Sequence, residues 1–329
     1  MKILISEMRP TETHRTFFTN RAMTALNGLG EVVSGRFTRE ELRDSLRGAD
    51  VLMCGWGVPV MDEDLLQNAD RLKLVLYTGG SVAGFMTEEL VKRGITVCSG
   101  NRLYASSVAE GTIGYILLAQ RRLPKIIRET EEQGWAAEYY TDGIRFKTVG
   151  LIGFGMVAKE LAKMLRAFDC RVKIASDWFT EDMEEEYRAE KATMDEIFST
   201  CDIVSLHESL TPETVHMIGR RQFGLMKQDA LFVNTARGPI IVEEELAEAV
   251  RFGHIRAVLD VYDREPLPMD SCLRGLENLI LIPHRGGPTV DVREYVTLAL
   301  IDDLKRFGNG EKPEHEIPWE YARHMTRSL

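Results

Sequence analysis

Short apolar runs and amphipathic segments alternate along almost the whole chain. In the first hundred residues the runs KILIS (2–6), EVVSG (31–35), DVLMCGW (50–56), LKLVLYTGG (72–80) and ITVCSG (95–100) read as strands. Between them, TREELRDSLRG (38–48) and DEDLLQNA (62–69) read as helices. Thr38 and Glu41 fit a capping box, in which each side chain satisfies an orphan amide of the first helical turn. Strand, helix, strand at this rhythm predicts right-handed βαβ units and a parallel sheet.

The rhythm breaks in the middle and then restarts. SSVAEGTIGYILLAQRRL (106–123) predicts a helix that is apolar for much of its length, and the polar, aromatic stretch RETEEQGWAAEYYTDGIRF (128–146) follows. A second series of apolar runs comes next: KTVGLIGFG, RVKIASD, CDIVSLH, ALFVNTARG, RAVLDVYD and NLILIPH. Strands this continuously apolar belong in a sheet covered on both faces. The last amphipathic helix, DVREYVTLALIDDLKRFG (291–308), is expected to cross back to the first block. The polar tail after it is expected to be only partly ordered. The fold class is therefore α/β, with two doubly wound parallel-sheet domains. Residues 1–100 and 291–329 form one domain, discontinuous in sequence, and residues 101–290 form the other.

Composition narrows the function. Lys and Arg number 41 against 51 Asp and Glu in 329 residues, a net charge of −10. An acidic chain without a basic run is a poor partner for a phosphate backbone, which argues against nucleic acid. No apolar stretch approaches a membrane span, and MKILISEMRP is too short in its apolar part for a signal peptide. Cys54, Cys98, Cys170, Cys201 and Cys272 are scattered, with no C-x-x-C pair. That spacing speaks against a disulfide framework or a metal site and for a reducing, cytoplasmic setting.

VGLIGFGMVAKELAKML contains Gly153-x-Gly155-x-x-Ala158, directly after a strand and opening a helix. In that setting Gly153 makes the tight turn and Gly155 lets a pyrophosphate approach the backbone. Ala158 allows close helix–strand packing. Anions are favoured at the helix N-terminus by its free amides and dipole. About 20 residues further on, as a dinucleotide site requires, RVKIASD ends in Asp177. A carboxylate there accepts hydrogen bonds from a ribose diol and repels a 2′-phosphate. Trp178 and Phe179 follow rather than Arg or Lys, which favours NAD over NADP.

Three polar residues close later strands: Arg237 in FVNTARGP, Glu265 in LDVYDREPLP and His284 in LIPHRGG. Each alone reads most simply as structural: a surface arginine, a loop carboxylate, a strand-end histidine. Together, in this order and after a dinucleotide fingerprint, they point to carbonyl reduction. The strand C-termini of an open parallel sheet face its ligand crevice. A hydride arriving at a carbonyl carbon develops charge on the oxygen, and an imidazolium there donates the proton. A carboxylate behind the imidazole orients it and favours its charged form. A guanidinium holds the carboxylate or carbonyl of a 2-keto acid through directed donors.

GFGMVA, SLHESLTPETVHMIGRRQFGLMKQDALFVNTARG, LDVYDREPLP and LIPHRGG resemble the D-isomer-specific 2-hydroxyacid dehydrogenases over nearly the whole chain. The resemblance implies a Rossmann-type NAD domain, a flavodoxin-like substrate domain and NAD-dependent interconversion of a small D-2-hydroxy acid and its 2-keto acid. It assigns Arg237, Glu265 and His284 to catalysis. Gly153, Phe154, Gly155, Met156, Val157, Asp177, His207, Thr235, Ala236, Arg237, Asp260, His284 and Gly286 are assigned to the cofactor. The loop TGGSVAG matches the family's substrate loop, so Gly79, Gly80 and Ser81 are assigned to the substrate carboxylate, with Arg237, His284 and Trp56 also at the substrate. Arg285 is left without a role. The resemblance further implies a homodimer through the 106–140 region, with Trp135, Tyr139 and Tyr140 suited to an interface.

The chain also departs from the family pattern. Tyr77 stands where an arginine is usual, Ser81 for a glycine, Ser106 for an asparagine, Ser209 for the proline of LHxPLT, and Val242 for an aspartate. The missing arginine argues against a phosphorylated substrate. A corepressor-like protein that senses NAD(H) on the same scaffold is the alternative reading. The absence of a long disordered extension weighs against it.

Overall fold

The computed structural model describes residues 1–8, 10–135 and 140–326. They divide into two compact units, Met1–Tyr104 with Pro288–Leu329, and Ala105–Gly287. Each has its own parallel sheet and core.

The first unit holds β1 (Lys2–Ser6), β2 (Glu31–Gly35), β3 (Val51–Cys54), β4 (Leu74–Tyr77) and β5 (Thr96–Ser99). Their order is β2-β1-β3-β4-β5, all parallel, which is the flavodoxin-like winding. Side chains alternate between faces along each strand. Leu4, Leu52, Val75 and Val97 therefore enter one apolar cluster, while Ile3, Ile5, Met53, Leu76 and Cys98 enter the other. The second cluster is closed by Val296, Leu300 and Leu304 of helix Val290–Gly308, so the last long helix belongs to this unit.

Two expectations for this unit are corrected. DEDLLQNA forms only the single 3-10 turn Leu65–Asn68. The Asp62 carboxylate accepts the Leu65 amide and pairs with Arg39, so a local side-chain bond replaces the first helical turn. The tail is not loose as far as Thr326. Glu316 bridges antiparallel to Cys98, Ser99 N donates to the His315 carbonyl, and Ile317 N donates to Val97. The tail thus lines the edge of β5. Asp303, 1% exposed, accepts from Glu314 N (2.7 Å), His315 N (3.2 Å) and His315 Nδ1 (2.9 Å).

The second unit holds β6 (Thr148–Ile152), β7 (Arg171–Ala175), β8 (Ala189–Lys191), β9 (Ile203–Leu206), β10 (Leu231–Asn234), β11 (Arg256–Leu259) and β12 (Leu279–Leu281). The order is β12-β11-β10-β9-β6-β7-β8, again all parallel. This is the Rossmann winding with one further strand, and the order reverses between β6 and β9. Val149, Leu151, Ile174, Leu231, Val233 and Val258 pack on one face, and Ile152, Val204, Leu206, Phe232 and Leu259 on the other. The long apolar helix runs Asn101–Gln120, starting earlier than its pattern implied. Arg122 adopts a left-handed conformation that ends it, and a second helix, Leu123–Gln133, occupies the start of the stretch that lacked a clear pattern. Ala136–Tyr139 lie outside the described residues, and with them the interface residue Tyr139.

Asp303→Ala would leave two backbone amides and an imidazole without their buried acceptor. It should destabilise the first unit by about 2–5 kcal/mol. The Glu314 and His315 amides should lose hydrogen-exchange protection before the β1 amides do.

Candidate active site

The turn after β6 carries the dinucleotide fingerprint. Gly153 has φ 90°, and a Cβ there would lie 2.7 Å from the His207–Glu208 peptide. Only glycine fits the conformation and the space. Gly155 caps helix Met156–Leu165 and has an extended backbone, yet a Cβ there would meet nothing within 4 Å. Protein packing therefore does not demand glycine at 155. An anion seated on the helix N-terminus does, so the residues present fit a dinucleotide phosphate. Ala158 is fully buried, and Phe154 packs on Phe179 and Tyr187 beneath the turn. Met156 and Val157 begin the helix. Asp177 is exposed, two residues beyond the end of β7.

Just beyond β9, His207 Nε2 lies 2.8 Å from Oγ of Ser205 within the strand, and burial pushes the His207 imidazole down to about 4. His207 is neutral near pH 7 and is no proton donor there. Beyond β10, the buried Asn234 side chain accepts from Ala236 N (2.9 Å) and donates to the Arg237 carbonyl (3.0 Å). It shapes the turn that presents Thr235, Ala236 and Arg237. The sequence reading missed Asn234, although an Asn closing an apolar run is an Asx-turn signal. A Cβ on Gly238 would lie 1.8 Å from the Tyr262 carbonyl carbon, so this turn packs tightly against the one after β11.

Asp260 directly follows β11 and is 2% exposed. Its carboxylate accepts from Arg285 N (2.6 Å) and Gly286 N (2.7 Å), and Tyr115 Oη lies 3.4 Å away. Burial raises the pKa of Asp260, and the two amide bonds oppose that shift. A Cβ on Gly286 would lie 2.7 Å from Asp260 Oδ2, so residue 286 must be glycine for this bond to form. The turn places His284 at φ 51° with its imidazole exposed. His284 Nδ1 is 2.6 Å from Glu265 Oε2, and Glu265 Oε1 accepts from Tyr262 N at 3.1 Å. Two predicted catalytic residues are therefore joined directly. Arg237 Nη1 donates to its neighbouring Ala236 carbonyl at 2.6 Å.

In the first unit, the loop after β4 has a one-sided backbone. The Thr78 carbonyl accepts from Tyr104 Oη at 2.7 Å, and the Gly79 and Gly80 carbonyls face the Ser99 hydroxyl. In a planar trans peptide the next amide points away from the carbonyl. The Gly79, Gly80 and Ser81 amides are thereby turned away from Tyr104 and Ser99, as a nest for an anion requires. Tyr77 is buried against Phe85, and a Cβ on Gly79 would meet its ring at 2.5 Å. Ser81 Oγ donates to the Thr326 carbonyl at 2.6 Å. Trp56 is 41% exposed and edge-on to Phe17 and Tyr104, at ring distances of 5.6 and 6.1 Å. No periodicity in the sequence marks Ser99 or Tyr104 as supports of this loop. Among the described residues no cluster of His, Cys, Asp or Glu could hold a metal, and no helix is long and apolar enough to cross a membrane.

Comparison with known proteins agrees with this fold. The family model for the D-isomer specific 2-hydroxyacid dehydrogenase, NAD binding domain, matches residues 113–286. A D-3-phosphoglycerate dehydrogenase of Methanocaldococcus jannaschii is 33% identical over 301 residues, 90% of this chain and 57% of that protein. A glyoxylate reductase of Thermofilum pendens is 33% identical over 285 residues, 84% of this chain and 83% of that one. The chain thus spans little more than half of the first relative and most of the second. A phosphoglycerate oxidoreductase from Rhizobium etli superposes with a TM-score of 0.81 at 25% identity, over 97% of this chain and 99% of that structure. A Rossmann-wound unit with this fingerprint defines a dinucleotide-binding domain. The chain belongs to the D-isomer specific 2-hydroxyacid dehydrogenase family, and its second unit is the NAD-binding domain.

The two fingerprint glycines should separate in their effects. Gly153→Ala forces a Cβ into a backbone and should cost about 1–3 kcal/mol of stability or more in urea unfolding. Gly155→Ala should leave stability nearly unchanged and weaken NADH binding by about tenfold or more, read by fluorescence titration.

Proposed function

We propose that the protein interconverts a small D-2-hydroxy acid and its 2-keto acid, with His284 as the acid/base. The observation that carries this reading is the 2.6 Å His284–Glu265 pair on a turn held by Asp260. NADH, when bound, would supply a hydride to the carbonyl carbon. With Nδ1 engaged by Glu265, Nε2 is the nitrogen left to exchange a proton with the substrate oxygen. Glu265 orients the ring and balances the imidazolium charge. Arg237 offers planar donors to the substrate, and the Gly79, Gly80 and Ser81 amides receive its carboxylate. Trp56 lines the substrate side chain.

On the cofactor, Asp177 takes the ribose diol and so favours NAD over NADP. Phe154, Gly155, Met156 and Val157 surround the phosphates. His207, Thr235, Ala236, Asp260 and Gly286 line the rest. With Tyr77 in place of the arginine usual in this family, a non-phosphorylated substrate such as glyoxylate or hydroxypyruvate fits better than a phosphorylated one. The protein acts in the cytoplasm as a homodimer through the 106–140 region. Helix Leu123–Gln133 supports the dimer because none of its residues is buried, with Leu123 and Ile127 exposed on it and Trp135 just beyond. Amphipathic surface of this kind calls for a covering partner.

NADH oxidation against glyoxylate, hydroxypyruvate, pyruvate and bulkier sugar acids tests the reading, and inactivity on the whole panel would remove it. His284→Ala should lower kcat by about 10²–10⁴-fold while changing NADH affinity far less. An unchanged kcat would exclude His284 as the proton donor.

A further inference from the structure

The departure SLHESLT, where the family has LHxPLT, has so far no function. Glu208 and Ser209 lie just beyond β9, and Asp177 lies just beyond β7. These two strands flank β6, one on each side. Both carboxylates therefore leave the C-terminal edge of the sheet beside the Gly153 turn. The contact is close on the Glu208 side, since its amide nitrogen lies 2.7 Å from where a Gly153 Cβ would be.

Ser209 explains why an acid is held there. Its amide donates to Glu208 Oε1 at 3.0 Å. A proline at 209 has no N–H and could not make this bond. The exchange of proline for serine thus installs a donor that fixes the preceding carboxylate. Glu208 is half-buried. Burial raises its pKa, the Ser209 amide bond opposes that shift, and the charge of Asp177 adds to the rise. The two acids feel each other across the phosphate turn.

We propose that Glu208 is a second carboxylate of the cofactor-selection site, acting with Asp177 to exclude the 2′-phosphate of NADP. The inference rests on Asp177 as the ribose acceptor. Strands two apart in a sheet are about 10 Å apart, close to a Debye length at physiological salt. A phosphate near −2 in charge beside Asp177 meets the field of both acids. Both dinucleotides carry the pyrophosphate, so its repulsion by Glu208 cancels in the ratio of their affinities, and removing the Glu208 charge should change that ratio through the 2′-phosphate. A merely structural Glu208 would affect both dinucleotides alike.

The test is direct binding of NADH and NADPH, by fluorescence titration, to the wild type, Asp177→Asn, Glu208→Gln and the double variant. The glutamine of Glu208→Gln keeps an acceptor for the Ser209 amide and removes only the charge. Glu208→Gln should lower the Kd of NADPH relative to NADH by about fivefold, and the double variant should lower it beyond either single change. A ratio unchanged in Glu208→Gln but shifted in Asp177→Asn overturns the role of Glu208 alone. A ratio shifted by neither overturns the ribose assignment as well. The wild type supplies a second reading: its NADPH/NADH Kd ratio should fall as salt rises, more steeply than in Glu208→Gln if that variant folds. A ratio independent of salt counts against the proposal.

Discussion

The second unit's candidate chemistry hangs on one buried carboxylate. Asp260 holds the Arg285 and Gly286 amides at 2.6 and 2.7 Å. Burying a carboxylate is costly, and charge-assisted bonds to two amides offset that cost. In return the chain after β12 is forced into a tight turn, and His284 is left at φ 51°. A left-handed conformation costs a residue other than glycine roughly 1–2 kcal/mol. It persists because the Asp260 bonds, the His284 N–Ile282 carbonyl bond and the Glu265 contact all specify the same geometry. Arg285 finds its place here as well. Its backbone amide is the part in use, and its side chain is exposed.

The same device recurs in both units. Buried side chains tie down backbone groups, and the opposite face of that backbone is freed for a ligand. Ser99 and Tyr104 do this for the glycine loop of the first unit, and Asn234 does it for the turn bearing Arg237 in the second. Buried polar networks of this kind work only when every member is satisfied. The sites are thus built from the core outward.

Much of this was legible in the sequence, because strand periodicity and glycine spacing are local signals. Each apolar run read as a strand contains one in the expected sheet, and Thr38 and Glu41 form the expected capping box. Gly153, Gly155 and Ala158 announced themselves by their spacing directly after a strand and at the start of a helix. What escaped was long-range. Nothing local indicates that Asp62 would pair with Arg39, or that Asp303 would grip the tail. The short β8 (Ala189–Lys191) has an apolar residue only at its first position, so it carried no strand pattern. The bond from Asp260 to residues 285 and 286 spans some 25 positions, and only the fold brings them together.

The interleaved path of the chain has a consequence for its birth on the ribosome. The second unit is continuous, whereas the first waits for helix Val290–Gly308 and for the segment that lines β5. Domains tend to fold as they are synthesised, from the N-terminus onward. Here the earliest strands emerge first but are covered last. Through most of translation Ile3, Met53, Leu76 and Cys98 lack Val296, Leu300 and Leu304 against them. The nascent protein is then a finished nucleotide-binding body tethered to a sheet with one apolar face covered only in part, by Phe17, Ala22 and Leu26, and the open part of that face is where a chaperone would hold it.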